Sequence, residues 1–143
     1  MSRHNTSPAL LELSGRLLAY EAARNPPGES KPAFFLASEK LRRPLSRLAG
    51  TAGYRSLMER AVTLAKAKAP VLGALQTLTD GSLVELSPIA DQSGSAPTGV
   101  ELIAELLALL VAFIGENLVM SLVAEIWPEL SQADHEILEK NGL

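Results

Sequence analysis

Residues 98–128 read TGVELIAELLALLVAFIGENLVMSLVAEIWP, and this stretch decides the fold. Leu106 to Ile114 is an unbroken apolar run, and Leu118 to Val123 continues it with Ser121 as its one polar interruption. Thr98-Gly99-Val100-Glu101 has the form of a capping box, and Trp127-Pro128 closes the other end. The pattern predicts one very apolar helix over roughly residues 98–127.

A window of about nineteen residues here is hydrophobic enough to suggest a membrane span. Three features argue against it. Glu116 and Asn117 sit in the middle, where a charge is expensive in lipid, and no Lys or Arg flanks either end. The acids also fall in register. At about 100° per residue, Glu105 and Glu116 lie about 20° apart on one continuous helix, and Glu101 about 40° from Glu105. Glu101, Glu105 and Glu116 thus make a candidate polar stripe on a helix otherwise apolar all round, the pattern of a buried or shared helix. Ala104, Ala108 and Ala112 form a small-residue ridge that lets a neighbouring helix approach closely. Leu106, Leu110, Phe113, Leu118 and Trp127 are the candidate interaction surface, with Trp127 also suited to anchor the end of the helix on the core.

Outward from this helix, the chain of 143 residues is the size of one domain. Its apolar material is mostly Leu and Ala, strong helix formers, and aromatics are only 4%. The expected fold is all-α: a bundle of about five to six helices around the hydrophobic C-terminal helix. Residues 1–143 form a single helical domain in this reading, with a flexible loop at about 88–98. Ser7-Pro8 marks a helix start, and Leu10, Leu13, Leu17 and Tyr20 recur at helical spacing with Glu12 and Arg16 as an i,i+4 pair. Asn25 to Ser30 is a break. A second helix starts near Pro32, its face Phe34, Ser38, Leu41, Leu45 and Leu48, with a kink or short break expected at Pro44. Gly50-Thr51-Ala52-Gly53 is a turn in which Gly50 suits a left-handed position and Thr51 can cap the next helix, which runs to about Ala69. A short helix from Val71 to about Thr79 stops at Asp80-Gly81. Ser82 to Ile89 fits a helical turn or an extended stretch equally well. A last short helix covers about Ser131 to Lys140.

Charge is split along the chain. Residues 1–70 carry twelve of the thirteen Lys and Arg and five of the sixteen acids. The basic half is expected to pack beside the acidic half of its own or a neighbouring chain. Lys40, Arg42, Arg43 and Arg47 form a candidate basic patch around Pro44. With no aromatic near it beyond Phe34 and Phe35, which fit the core, and no helix-turn-helix pattern, a nucleic-acid partner is disfavoured.

No cysteine is present, which excludes disulfides, thiolate ligands and a cysteine nucleophile. His4 and His135 lie near opposite ends, and no Glu-x-x-His pair of the di-iron type occurs. Gly50 to Gly53 lacks the ending of a phosphate-binding loop, and no Gly-x-Ser-x-Gly elbow is present. No catalytic residue, metal ligand or cofactor is therefore expected. The N-terminus lacks an apolar signal region, so the expected compartment is the cytoplasm. The function expected is a non-enzymatic interaction or regulatory module with a protein partner, self-associating as a homo-oligomer. Two alternatives stand beside it: a membrane-associating domain that exposes the apolar helix over about 100–127, and a small-ligand-binding bundle with Glu105 or Glu116 as the polar contact.

Overall fold

The computed structural model describes residues 8–24, 32–86, 99–128 and 130. The described chain is mostly helical: α1 (Pro8–Arg24), α2 (Ala33–Lys68), a 3-10 turn at Pro70–Ala74, a small hairpin of β1 (Leu75–Thr77) and β2 (Leu83–Glu85), α3 (Val100–Ile114) and α4 (Glu116–Ile126). The expected cap at Ser7, the break at Asn25 to Ser30, the loop at about 88–98 and the terminal helix after Ser131 lie outside the described residues, as do His4 and His135.

α1 forms on the expected spacing. Ala9, Leu10, Leu13, Leu17 and Leu18 are buried on one face, while Glu12 and Arg16 pair on the outside at 3.4 Å. An exposed pair of this kind adds only a few tenths of a kcal/mol, so the apolar face holds the helix in place.

α2 is two helical segments in one. The chain passes Pro44 with helical dihedrals, and the break falls at Gly50, whose φ of 80° and ψ of 159° only glycine adopts easily. The positive φ is the one expected there, but the ψ is extended rather than left-handed helical. The segments fold sharply against each other. Tyr54 donates its hydroxyl hydrogen to the Ser38 carbonyl at 3.4 Å, whereas a straight helix would separate residues sixteen apart by about 24 Å. Tyr54 is fully buried, and burial pushes its phenol far above the usual range, so it remains a donor.

The predicted helix at Val71 to Thr79 is replaced by the 3-10 turn and β1. Leu75 pairs with Glu85, Gln76 with Val84 and Thr77 with Leu83 in an antiparallel register. The turn is held by Asp80, whose Oδ1 accepts hydrogen bonds from the Ser82 N–H at 2.9 Å and the Ser82 hydroxyl at 2.6 Å. Leu75 and Leu83 point to the core. Leu75 and Thr77 of β1 and Leu83 and Glu85 of β2 share one face of the hairpin, so the register sets both leucines on the core side.

The expected helix at 98–127 is also corrected. It is two helices, α3 and α4, parted at Gly115, with φ 94° and ψ 154°. The N-cap of α3 is Gly99, with no side-chain cap bond, and Thr98, the capping residue read from the sequence, lies outside the described residues. α3 is nonetheless the central helix. It packs on α1, α2 and α4, and Leu102, Ile103, Ala104, Leu106 and Leu107 are fully buried. At about 1.5–3 kcal/mol for each large apolar side chain removed from water, α3 carries much of the driving force for folding. Among the described residues, no helix is long and apolar enough to cross a membrane.

Candidate functional site

Two surfaces and one buried cluster gather the candidate residues. The first surface is the elbow at Gly115. Of the five apolar candidates, the structure splits the set. Leu106, Leu110 and Trp127 are buried within the chain, while Phe113 is 60% and Leu118 42% exposed. Phe113 ends α3 and Leu118 lies in the first turn of α4, so they flank the glycine. Ala112, Asn117 and Ser121 are exposed beside them. The exposed residues fall on both sides of the break in the backbone at Gly115.

The polar stripe does not survive the break. Glu101 is half-buried at the start of α3. Glu105 is fully buried, its Oε2 accepting from Lys68 Nζ at 2.5 Å. Glu116 begins α4, where its charge complements the positive end of the helix dipole. The Lys68–Glu105 pair joins the basic and acidic halves of one chain, as the charge split led us to expect. Lys68 keeps its ammonium near solvent with its stem along the protein, the usual solution for a long basic side chain.

A second buried glutamate was not foreseen. Glu21 is 3% exposed. Its Oε2 accepts from Lys40 Nζ at 2.6 Å and from the Trp127 indole N–H at 2.7 Å. Lys40 also lies 5.9 Å from the centroid of Tyr20, over which Arg24 stacks at 4.4 Å. Glu21 therefore ties α1 to α2 and to the end of α4. Trp127, fully buried, acts as the anchor its position suggested.

The second surface is the outer face of α2. The structure divides the four basic candidates by what they already hold. Lys40 is committed to Glu21. Arg42 makes hydrogen bonds to Glu39 through both its Nε and Nη2, and its Nη1 lies 3.8 Å from Asp80. These acids, Glu39 first, hold the Arg42 guanidinium even more firmly in its charged form. Arg43 and Arg47, one helical turn apart, are exposed and have no ion pair among the described residues. They stand between two open clefts. One, of about 310 Å³, is lined by Arg42, Arg43, Ser46, Arg47, Thr51 and Asp80. The other, of about 390 Å³, includes Glu39, Lys40, Pro44, Glu125 and Ile126 beside the same three arginines. Neither contains Glu101, Glu105 or Glu116. Hydrogen bonds from the Ser82 hydroxyl and then the Ser82 N–H hold the Asp80 carboxyl below the usual range, so it is ionised at neutral pH.

No group of three or more His, Cys, Asp or Glu positioned to hold a metal occurs among the described residues. Comparison with models of protein families, with curated proteins and with solved structures finds no match to this chain.

Proposed function

We propose that this protein is a non-enzymatic interaction module that self-associates weakly through the Gly115 elbow. The fold proposed with it is a bundle of about five to six helices, counting the two segments of α2 separately and adding the terminal helix read from the sequence. The observation that carries the reading is the exposure of Phe113 and Leu118 on either side of Gly115. The occupant proposed is a second copy of the chain. A two-fold contact brings each patch against itself. The exposed side chains at the elbow, Ala112, Phe113, Asn117, Leu118 and Ser121, carry no charge, and Glu116, half-buried beside them, is the one acid there that self-pairing would bring near its copy. The patch is small against the roughly 800 Å² per partner of a stable dimer, which places the association in the weak class.

Sedimentation velocity over a wide concentration range tests this. The expected result is a monomer–dimer equilibrium with Kd on the order of 10–100 μM. Combined F113S and L118S should leave the far-UV circular dichroism unchanged and the protein monomeric throughout. L110D should unfold the chain instead, since Leu110 is 2% exposed and would bury an unpaired charge. A wild-type protein that is monomeric at about ten times the upper Kd, or a dimer indifferent to F113S and L118S, would overturn the proposal.

A further inference from the structure

The outer face of α2 carries an inference independent of self-association. We propose that the cleft between Arg43, Ser46, Arg47 and Thr51 binds a single phosphate group, as inorganic phosphate or as a phosphate monoester.

The cleft holds three guanidinium groups and two hydroxyls against one carboxylate. That carboxylate, Asp80, is already engaged: its Oδ1 receives both Ser82 donors and its Oδ2 faces Arg42. Arg42 is engaged in turn with Glu39. The donors left over are those of Arg43 and Arg47, with the hydroxyls of Ser46 and Thr51 beside them. Guanidinium forks match the tetrahedral oxyanion better than any other side chain, because each can give two parallel hydrogen bonds. The spacing also fits. Residues one helical turn apart project from the same face, about 5–6 Å apart at their Cβ atoms, and can close on one small anion from two sides.

The backbone adds to this. The break at Gly50 starts a new helical segment at Thr51, so the positive end of that segment's dipole meets the cleft where Thr51 lines it. Ser46, Arg47 and Thr51 reach the cleft from both sides of the break, and without the turn at Gly50 they would follow the surface of one rod.

A single phosphate fits better than a nucleic-acid strand. No aromatic ring lines the cleft to stack a base. The positive surface also does not continue as a track, since Glu39 and Glu125 line the adjoining depression. A carboxylate ligand would use fewer of the donors, offering two oxygens where a phosphate offers three or more.

The test is a two-dimensional amide NMR titration of the full chain with inorganic phosphate, and separately with glycerol 3-phosphate, against sodium chloride at matched ionic strength. Flotation with phosphatidylcholine vesicles containing phosphatidic acid forms a third arm. Saturable shifts are expected at Ser46, Arg47 and Thr51. R43Q and R47Q should each weaken phosphate binding about fivefold to tenfold, and R16Q, whose partner is Glu12 on α1, should leave it unchanged. All three side chains are exposed, so folding is preserved, and circular dichroism checks this. Saturation by glycerol 3-phosphate without flotation assigns a soluble ligand. Flotation that inorganic phosphate competes away assigns a lipid headgroup to the same site. Shifts that rise linearly with phosphate, that chloride reproduces, or that survive the combined R43Q and R47Q change would overturn the proposal.

Discussion

Substitution of Trp127 by Phe measures what the Glu21 cluster contributes. Trp127 is the only tryptophan in the chain, and its indole N–H reaches a carboxylate that is 3% exposed. W127F removes that donor and leaves Glu21 with Lys40 alone. The loss of a hydrogen bond to a buried charge costs about 1.5–3 kcal/mol. The smaller ring leaves a space worth about 1 kcal/mol more. The sum, about 2.5–4 kcal/mol, corresponds to a fall in Tm of roughly 7–14 °C for a domain of this size. E21L separates the two parts. Leucine fills a similar volume, and Lys40, whose side chain is 44% exposed, turns out to water, but the buried indole N–H loses its acceptor, so E21L alone is expected to cost about 1–3 kcal/mol. In the E21L background W127F removes that orphaned donor and should cost no more than the packing part. Urea unfolding followed by far-UV circular dichroism on the four proteins gives the coupling directly, with an expected value of at least about 1.5 kcal/mol. A coupling below about 0.5 kcal/mol would show that the indole–carboxylate bond stabilises nothing and that Trp127 acts by packing alone.

Two further outcomes follow from the breaks and the hairpin. G115A should lower stability by about 1–3 kcal/mol from backbone strain alone, since a Cβ added there meets nothing within 4 Å; a raised Tm would mean that α3 and α4 run on as one helix in solution. At Asp80 the folded carboxyl titrates below its unfolded value, so the turn's stabilisation is fully present above about pH 4 and fades as pH falls through the lower folded pKa. Carbon-13 NMR titration should find that S82A moves Asp80 back toward the ordinary value, and an Asp80 that titrates normally in the unmodified chain would refute the turn geometry.

The contrast between the two helix breaks shows what could be seen in the sequence. Gly50 was legible because Gly-Thr-Ala-Gly interrupts the apolar pattern on both sides. Gly115 was not, for a geometric reason. Eleven residues bring a helix back to within about 20° of its starting direction, so Glu105 and Glu116 look aligned on a continuous helix even though a break lies between them. The local signal was a glycine, costly inside a helix, followed by an acid suited to a first helical turn. The hairpin had its signal too. Asp80-Gly81 between Leu-Gln-Thr and Leu-Val-Glu is a turn pair flanked by alternating residues, but beside a Leu- and Ala-rich chain it reads as the end of a helix. The Glu21 cluster had no local signal, because Glu21 and Trp127 are 106 residues apart and only the packing of α1 against the end of α4 brings them together.

The charge split, finally, explains why the two proposed surfaces differ in kind. Among the described residues, Lys68–Glu105 and Arg42–Asp80 are the ion pairs that join the basic half to the acidic half. Glu21, Glu39 and Glu59 take up Lys40, Arg42 and Arg55 from within the basic half itself. Arg43 and Arg47, with no ion pair among the described residues, leave two adjacent unmatched positive charges on the outer face of α2. A two-fold contact through that face would set arginine against arginine, a repulsion that self-association cannot offset in water, so this surface suits an anion rather than a second copy. The elbow lies at the far end of α4 from Ile126, which borders the arginine clefts, about 15 Å along the helix axis, and its exposed side chains carry no charge, with the half-buried Glu116 the one acid beside them. Salt separates the two: phosphate binding should weaken steeply as ionic strength rises, while dimerisation through Phe113 and Leu118 should hold or strengthen.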